Sequence, residues 1–348
     1  MKISPCSESR IDQIDFSNLV FGTKFSDHML VAKYENGAWG EAEIKAYGNG
    51  NFAPAMHALH YGQAYFEGMK AYGGADGSVY LFRPERNFKR ANLSGERLFM
   101  PEVPEEIFMG GLKKLIELDK EWVLRNRPNP LYIRPFMFSS EEIIAARASK
   151  EFHFMIITSP VMAYYPKPVR VKIEQEFSRS APGGTGYAKA AGNYGGAFYP
   201  THLAKEQGYD QIIWTDACTH QRIEESGTMN VMFIIDGKII TPKVSRTILD
   251  GVTRDSLTKF APSLGYEVEV RDITVDEVVE NLKSGRMTEA FGAGTAAVIS
   301  PISHIGYKGT DYELYVGKDS EALKLKKALT EFQSGKGEDP WGWRMKLI

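Results

Sequence analysis

The sequence predicts an α+β protein of two domains, because of its length and the kinds of segment that alternate along it. The chain has 348 residues, and a domain usually takes about 100 to 200 residues, so two domains are favoured over one. Strand-like alternation and helix-like spacing of apolar residues both occur within the first half. We predict a smaller N-terminal domain over residues 1–163, an interdomain connection over 164–180 and a larger C-terminal domain over 181–348.

The N-terminal half begins with a predicted β-hairpin. Two alternating segments flank Asn36-Gly37, a dipeptide that accepts the positive φ a tight hairpin turn requires. Pro84 suits the first position of a helix, where its missing N–H costs nothing. The predicted elements of this half are hairpin strands over 29–35 and 38–44, helices over 84–98 and 104–123, and strands over 131–138 and 152–157.

The domain boundary is predicted where prolines interrupt the chain. Pro166 and Pro168, followed by a charged stretch, indicate a linker that leads into an edge strand. Asp236-Gly237 predicts a second hairpin further on. The predicted elements of this half are strands over 211–215, 230–235 and 238–241 and helices near 197–207, 253–261, 275–282 and 321–332.

The composition is that of an ordinary folded protein and excludes several classes of function. Hydrophobic residues make up 43% and charged residues 25%, and the formal net charge is -2, which provides no global field to attract nucleic acid or an anionic membrane. The only cysteines, Cys6 and Cys218, and the histidines show no metal-ligand spacing, so no metal site is predicted. Without a signal-like or membrane-length apolar segment, we expect a cytoplasmic protein.

Lys189 is the first candidate for chemistry. From Ser180 to Ala204 it is the only Lys, Arg, Asp or Glu, in a run rich in glycine and alanine. A lysine on close-packed backbone loses solvent, which favours its neutral, nucleophilic amine, the form that Schiff-base chemistry needs. The same run also fits a lysine whose amine reaches into water.

Glu224 and Glu225 are the second candidates, because they precede a hydrophobic strand. A carboxylate at the start of a buried strand is costly unless it meets a positive partner, and the protonated pyridine nitrogen of pyridoxal phosphate is such a partner. The same sequence would also be compatible with two glutamates that lie in a loop and are exposed to solvent.

Two glycine-containing turns, 251–255 and 291–297, could bind an oxyanion through backbone N–H groups. The second also matches a dinucleotide-binding fingerprint, but Pro301 would interrupt the helix that the fingerprint requires, so a nicotinamide oxidoreductase is disfavoured.

These elements, in this order, make the chain closely resemble the branched-chain amino acid aminotransferases, which are fold-type IV enzymes dependent on pyridoxal phosphate. The resemblance runs from about Leu19 to Gly309 and implies a homodimer of two-domain subunits with the cofactor at the domain interface. It rests on Leu59-His60-Tyr61, Phe66-Glu67-Gly68, Leu131-Tyr132-Ile133-Arg134-Pro135, Ala188-Lys189, Gly192-Asn193-Tyr194-Gly195, Glu225-Ser226-Gly227-Thr228 and Gly294-Thr295-Ala296.

The resemblance implies a role for each of several residues at the cofactor. Lys189 would form the Schiff base and move the proton between the substrate Cα and the cofactor. Glu225, rather than Glu224, would bond the pyridine nitrogen, and Tyr194 the phenolic oxygen. The remaining implied cofactor contacts are Arg90, the backbone N–H groups of Val252 and Thr253, and the side chains of Thr228 and Thr295.

The resemblance also implies a largely aromatic substrate pocket. The substrate carboxylate would lie on the backbone N–H groups of Thr295 and Ala296, with Arg134 ordering Tyr132 behind it. The matching positions for the substrate side chain are Phe21, Tyr61, Phe66, Tyr132, Tyr164 and Thr228.

Three departures from the family pattern bear on these roles. Asp250 replaces a proline and brings a negative charge towards the phosphate, which would weaken cofactor binding slightly. Ala297 and Ser300 replace the cysteines of a redox-sensitive CxxC, and the 136–146 segment lacks the usual Gly-Asn-Glu. The implied activity is transfer of the amino group of leucine, isoleucine or valine to 2-oxoglutarate, and the alternatives on the same fold are a D-amino acid transaminase and an aminodeoxychorismate lyase.

Overall fold

The computed structural model describes residues 1–162, 165 and 167–348, which form two compact units. The first unit comprises Met1–Tyr164, Ala188–Gly192 and Glu331–Ile348, and the second comprises Tyr165–Tyr187 and Asn193–Thr330.

Helices and strands are mixed along the described chain, as the sequence predicts. The helices are α1 His57–Tyr61, α2 Pro84–Arg97, α3 Gly111–Leu118, α4 Lys120–Arg125, α5 Ala191–Gly195, α6 Phe198–Glu206, α7 Val252–Ser263, α8 Val275–Lys283 and α9 Glu321–Gln333. The strands are β1 Lys2–Ser4, β2 His28–Glu35, β3 Ala38–Trp39, β4 Glu43–Ala46, β5 Ala64–Phe66, β6 Met69–Gly73, β7 Val79–Phe82, β8 Leu131–Ser139, β9 Phe152–Pro160, β10 Val169–Ile173, β11 Gln211–Thr215, β12 Ile223–Ser226, β13 Met229–Ile235, β14 Lys238–Thr241, β15 Val268–Val270, β16 Met287–Gly294, β17 Val298–Tyr307, β18 Thr310–Glu313 and β19 Arg344–Lys346.

The first unit is built on a sheet in the order β1-β4-β2-β9-β8-β6-β7-β19, with β3 paired to β2 and β5 to β8. The predicted turn at Asn36-Gly37 is confirmed: both residues have positive φ, and Glu35 pairs with Ala38. The strand predicted over 38–44 is wrong in its continuity, because the structure has β3 and β4 with a break between them. The helices α2 and α3 cover this sheet and enclose a core that includes Leu30, Phe108 and Ile133.

The helix predicted over 104–123 is wrong in its continuity. The segment forms a π-helical turn over Glu106–Gly110, then α3 and α4, which meet at Asp119. The carboxylate of Asp119 is buried and accepts a hydrogen bond from the backbone N–H of His28 at 3.2 Å, while its other oxygen contacts the His28 ring. The Asp119 side chain therefore contacts β2 of the sheet, and α3 ends at the residue before it.

The second unit contains a sheet in the order β12-β11-β10-β17-β16-β13-β14-β15, and a further pairing of β12 with β13 closes six of its strands into a ring. The predicted edge strand after the prolines is wrong, because β10 lies between β11 and β17 and runs parallel to both. Val169, Val171 and Ile173 are buried there, while the charges that suggested an edge, Arg170 and Lys172, alternate on the less buried face.

The two units do not follow the predicted domain boundaries. Residues 188–192 and 331–348 belong to the first unit instead of the C-terminal domain. The cause is strand pairing, since β19 pairs with β7 and Ala190 forms a bridge with Tyr65. Across the described residues, the structure contains no helix with the length and apolarity needed to cross a membrane.

Candidate active site

Lys189 is held in the first unit through its main chain. Its N–H donates to the Ser94 hydroxyl at 2.9 Å, and its carbonyl accepts from the Phe66 N–H at 3.2 Å. The side chain is half-buried, with Nζ 4.8 Å from the centroid of the Phe66 ring. The lysine thus lies beside one of the aromatic residues that the sequence assigns to the substrate.

Most of the predicted substrate residues of the first unit lie together around Phe66. The guanidinium of Arg134 lies 4.5 Å from the Phe66 ring centroid and donates to the Tyr132 hydroxyl at 2.9 Å. The Tyr132 ring in turn contacts Phe21 edge-on, at 4.9 Å between centroids. Phe66 is therefore in contact with two cationic side chains, a geometry in which aromatic rings attract positive charge.

Tyr61 has no contact with this group among the contacts of the described residues. Tyr61 is 42% exposed at the end of α1 and packs against the ring of His57. Tyr164 lies outside the described residues.

Arg90 is buried on α2 and forms a bidentate ion pair that the sequence analysis missed. Its Nε and Nη2 donate to the two carboxylate oxygens of Glu67, each at 2.8 Å, and Asn87 Nδ2 donates to one of them at 2.8 Å. Glu67 is 0% exposed, so the arginine charge is balanced within the protein. The signal was available, because Glu67 immediately follows Phe66 in the motif Phe66-Glu67-Gly68.

Glu225 is buried in β12 of the second unit, where it meets a positive partner. Its carboxylate pairs with Arg179 Nε at 2.8 Å and accepts from the Leu249 N–H at 2.8 Å and from Asn230 Nδ2 at 3.3 Å. The sequence analysis missed Arg179, although it is the charged residue just before the glycine-rich run. The interpretation of Glu224 and Glu225 as solvated loop residues is wrong, since both are buried.

Glu224 differs from its neighbour in its partners. It accepts a hydrogen bond from the Thr247 hydroxyl, and burial raises the pKa of its carboxyl above the ordinary value. The ion pair at 2.8 Å thus joins Arg179 to Glu225, although the charge of Arg179 also acts on Glu224, and the choice between the two glutamates stays a prediction.

Three of the residues predicted to bind the cofactor line one small cavity of the second unit. These are Tyr194, Glu225 and Thr228, and the wall is completed by Arg179, Asn193, Ala197, Gly227 and Leu249. Thr228 reaches this position because Gly227, at φ +56°, makes the two-residue turn between β12 and β13. The carboxylate, phenol and hydroxyl of this lining match, in their hydrogen-bonding chemistry, a protonated nitrogen heterocycle that carries a phenolic oxygen.

The predicted phosphate-binding turn forms the N-terminus of α7. Val252 and Thr253 are buried in its first turn, whose N–H groups have no partner within a helix. A Cβ on Gly251 would lie 1.9 Å from Asn230 Oδ1, so only glycine fits where α7 begins. Burial lowers the pKa of Arg254, and the nearby negative charge of Asp250 opposes this shift. The positive charge of Arg254 in turn balances part of the negative charge of Asp250.

Thr295 and Ala296 lie in the turn between β16 and β17, and both are partly exposed. Val298 closes this turn at φ +61°, a conformation that a β-branched residue rarely adopts. A strand, not a helix, follows the turn, so the dinucleotide-fingerprint interpretation of this segment is wrong.

The chemistry of these side chains is compatible with one class of protein before any relative is considered. A lysine near packed aromatic residues and a buried, ion-paired glutamate are groups that enzymes working through a Schiff base use.

Comparison with known proteins agrees. The family model described as amino-transferase class IV matches residues 64–305. A probable branched-chain-amino-acid aminotransferase of Staphylococcus epidermidis is 42% identical over 98% of this chain and 96% of its own length. Branched-chain-amino-acid transaminase 1 of Bacillus subtilis is 41% identical over 96% of this chain and 95% of its own.

A solved structure is similar as well. The branched-chain amino acid aminotransferase from Escherichia coli has a TM-score of 0.71 and 25% identity, covering 93% of this chain and 99% of that one. This chain belongs to the class IV aminotransferase family. The predictions of this family, of a fold-type IV α+β architecture and of aminotransferase activity are confirmed.

Proposed function

We propose that this chain, with pyridoxal phosphate as cofactor, transfers the amino group of leucine, isoleucine or valine to 2-oxoglutarate, giving glutamate and the branched-chain 2-oxo acid. The observation that carries the proposal is the buried Glu225–Arg179 pair in the cavity that Tyr194 and Thr228 also line. The names of the relatives from S. epidermidis and B. subtilis support the branched-chain substrates.

The residues of the second unit fit the ring of this cofactor. When bound, pyridoxal phosphate supplies an electron-accepting ring that stabilises negative charge at the substrate Cα. Glu225, whose carboxylate pairs with Arg179, would accept a hydrogen bond from a protonated ring nitrogen and so favour that protonated state. Tyr194 would donate to the phenolic oxygen, and the Thr228 side chain would also contact the cofactor.

Lys189 would hold the cofactor through its carbonyl carbon, with loss of water. Once the substrate amine has replaced it at that carbon, the released lysine amine would move the proton at the substrate Cα. The Lys189 amine is half-buried beside the Phe66 ring, and proton transfer at the substrate Cα would require its neutral form. We assign the phosphate to Arg90, to the N–H groups of Val252 and Thr253 and to the Thr295 hydroxyl.

The substrate groups are assigned by polarity. A branched apolar side chain suits the aromatic residues Phe21, Phe66 and Tyr132, which also exclude water, and Tyr61 and Tyr164 stay assigned to the same pocket. The substrate carboxylate is assigned to the N–H groups of Thr295 and Ala296. Arg134, which already donates to the Tyr132 hydroxyl, fixes that phenol and adds positive charge.

We further propose that the enzyme is a homodimer that works in the cytoplasm on small molecules. The family resemblance supports the homodimer. The formal net charge of -2 supports a preference for small-molecule substrates over nucleic acid or anionic membranes.

The test is an absorption spectrum of the purified protein before and after leucine, followed by 2-oxoglutarate. We expect leucine to bleach the visible absorption of the bound cofactor and 2-oxoglutarate to restore it. Bleaching by D-alanine but not by leucine would instead indicate a D-amino acid transaminase, and release of pyruvate from aminodeoxychorismate would indicate the lyase. A protein that binds no pyridoxal phosphate would contradict the roles of Lys189, Glu225 and Arg90 together.

A further inference from the structure

The buried face of α2 brings together the two residues on which cofactor binding is proposed to depend. Asn87, Arg90 and Ser94 are buried at spacings of three and four residues, so they lie on one side of the helix. Arg90 and Asn87 meet Glu67, whereas Ser94, at 0% exposure, meets the main chain of Lys189.

The Ser94 hydroxyl makes two hydrogen bonds whose directions are determined. It donates to the carbonyl of Arg90, one helical turn earlier, at 2.8 Å. Because a hydroxyl has a single proton, it can only accept from the N–H of Lys189, at 2.9 Å. One side chain therefore connects the main chain of the proposed phosphate ligand to the main chain of the proposed Schiff-base lysine.

The surroundings leave the lysine N–H little alternative. Ala188 and Ala190, on either side of Lys189, are 1% and 4% exposed, so water has poor access to this stretch of backbone. An N–H buried without a partner is costly, and the segment would shift to satisfy it. Packing opposes a large shift, because Tyr65 bridges to Ala190 and a Cβ on Gly95, next to Ser94, would lie 3.3 Å from the Tyr65 ring.

We propose that Ser94 is a positioning residue of the transaminase. Its hydroxyl fixes the main chain of Lys189 relative to Arg90, and thereby the direction in which the lysine amine reaches the reacting carbon. Ser94 touches neither substrate nor cofactor in this proposal, which rests on the function proposed above. An amine displaced by a fraction of an ångström loses rate in proton transfer more than it loses affinity for the substrate.

The experiment compares Ser94→Ala with Ser94→Thr and with a matched control. Ser94→Thr keeps a hydroxyl that can bond the carbonyl one turn earlier. The control is Ser26→Ala, which removes another serine hydroxyl at 0% exposure in the same unit, one that bonds the Thr158 hydroxyl. Each holoenzyme is assayed for leucine half-reaction kinetics and for the pH midpoint of the visible absorption of its bound cofactor.

For Ser94→Ala we expect kcat to fall about ten- to a hundred-fold with KM changed less than about three-fold, as a misplaced catalytic group predicts. The pH midpoint of the absorption should shift as well, because it reports the environment of the lysine amine. Ser94→Thr should recover most of the rate, and Ser26→Ala should match wild type in both readouts.

The inference is overturned if Ser94→Ala keeps the wild-type rate and midpoint. It is equally overturned if Ser94→Ala loses rate while the pH midpoint of its absorption stays at the wild-type value. It is also overturned if Ser26→Ala loses as much rate as Ser94→Ala. In both cases the Ser94 hydroxyl would act only on stability. The wild-type spectrum separates the two proposals: an unresponsive wild-type protein contradicts the proposed function itself, whereas a responsive one with an indifferent Ser94→Ala contradicts only the role of Ser94.

Discussion

Each unit of the molecule buries one ion pair at residues assigned to the cofactor, but the assigned charges have opposite signs. In the first unit the assigned residue is a cation, Arg90, balanced by Glu67. In the second it is an anion, Glu225, balanced by Arg179. All four side chains are at most 8% exposed, so neither assigned charge could be buried without its counter-ion.

The difference lies in what each counter-ion does to an incoming ligand. Glu67 stabilises the buried charge of Arg90, but its own negative charge would repel the phosphate that Arg90 is proposed to bind. Arg179 instead gives Glu225 a positive partner, and an ion-paired carboxylate is what a protonated ring nitrogen would need. The first pair thus opposes ligand binding and the second pair prepares it.

The largest expected effect concerns Lys189, the proposed Schiff-base lysine. Lys189→Ala should reduce the rate of leucine deamination at least about 10²- to 10⁴-fold, since the proposed proton carrier is removed. The measurement is the stopped-flow rate with saturating pyridoxal phosphate. Lys205→Ala, which removes an exposed lysine of α6, is the control and should leave the rate unchanged. A Lys189→Ala enzyme at the wild-type rate would refute the assignment.

The second prediction separates the two ion pairs. Glu67→Gln and Arg179→Gln should each lower the free energy of unfolding by about 3 to 5 kcal/mol, because each leaves a buried charge without its partner. Their effects on the ligand should differ in sign: Glu67→Gln should tighten binding of pyridoxal phosphate to apoenzyme, and Arg179→Gln should weaken it. Urea unfolding measures the free energy of unfolding, and titration of the apoenzyme with pyridoxal phosphate measures the affinity.

The control for both substitutions is Arg170→Gln. It breaks the pair of Arg170 with Asp311, whose side chains are more than a third exposed, and should cost at most about 1 kcal/mol. If Glu67→Gln and Arg179→Gln change cofactor affinity in the same direction, the two counter-ions do not have opposite effects on ligand binding.

The third prediction concerns acid sensitivity in the first unit. Burial, with smaller contributions from the charges of Lys33 and Lys45, lowers the pKa of His153 from 6.5 to about 4. The unfolded chain takes up this proton first, so stability is lost as the pH falls from 6.5 to about 4. His153→Phe keeps a ring to stack on Phe138 and should remove about 1 to 2 kcal/mol of that loss, a figure reduced for the partial exposure of the ring.

Urea unfolding of wild type and His153→Phe at pH 4 and pH 8 measures this difference. His202→Phe, at an exposed histidine of α6, is the control and should retain the wild-type pH dependence. Parallel pH profiles for wild type and His153→Phe would count against a buried neutral imidazole.

The smallest expected effect concerns the second unit and has the opposite pH dependence. Burial raises the pKa of Glu224, so its contribution is fully present below the ordinary value of 4.5 and is lost as the pH rises through the raised pKa. Glu224→Gln should therefore gain about 1 kcal/mol over wild type at neutral pH and little at acid pH. Thermal unfolding at both pH values is the measurement, and Glu176→Gln, at an exposed glutamate, should show no such gain.

Local patterns in the sequence single out Lys189 and the pair Glu224 and Glu225, because a lone lysine among small residues and carboxylates before a buried strand are visible in a short window. Arg90, Tyr194 and the choice of Glu225 over Glu224 come only from the family resemblance, and neither counter-ion was predicted. Glu67 and Arg179 acquire their meaning only from partners that the fold brings near. Burial of both members of a pair is a property of the packed structure and leaves no periodic signal.

The same limit explains the errors in the fold. The hairpins at Asn36-Gly37 and Asp236-Gly237 were predictable because the turn chemistry is local. The central position of β10 was not, because charges on alternate positions are compatible with either an edge or a covered strand until the neighbours are known. The break at Asp119 depends on a hydrogen bond to His28, which lies 91 residues away in sequence.

The first unit combines Met1–Tyr164 with Glu331–Ile348, and this has a consequence for how the protein is synthesised. Arg83, which precedes α2 at φ +49°, donates its backbone N–H to the Trp343 carbonyl at 2.8 Å, and its guanidinium lies 4.5 Å from the Trp343 ring centroid. During synthesis, the first turn of the helix that bears Arg90 and Ser94 therefore cannot gain these contacts until Trp343 has left the ribosome. A nascent chain stalled short of Trp343 would expose an incomplete sheet edge at β7, and this is the form that we expect chaperones to bind.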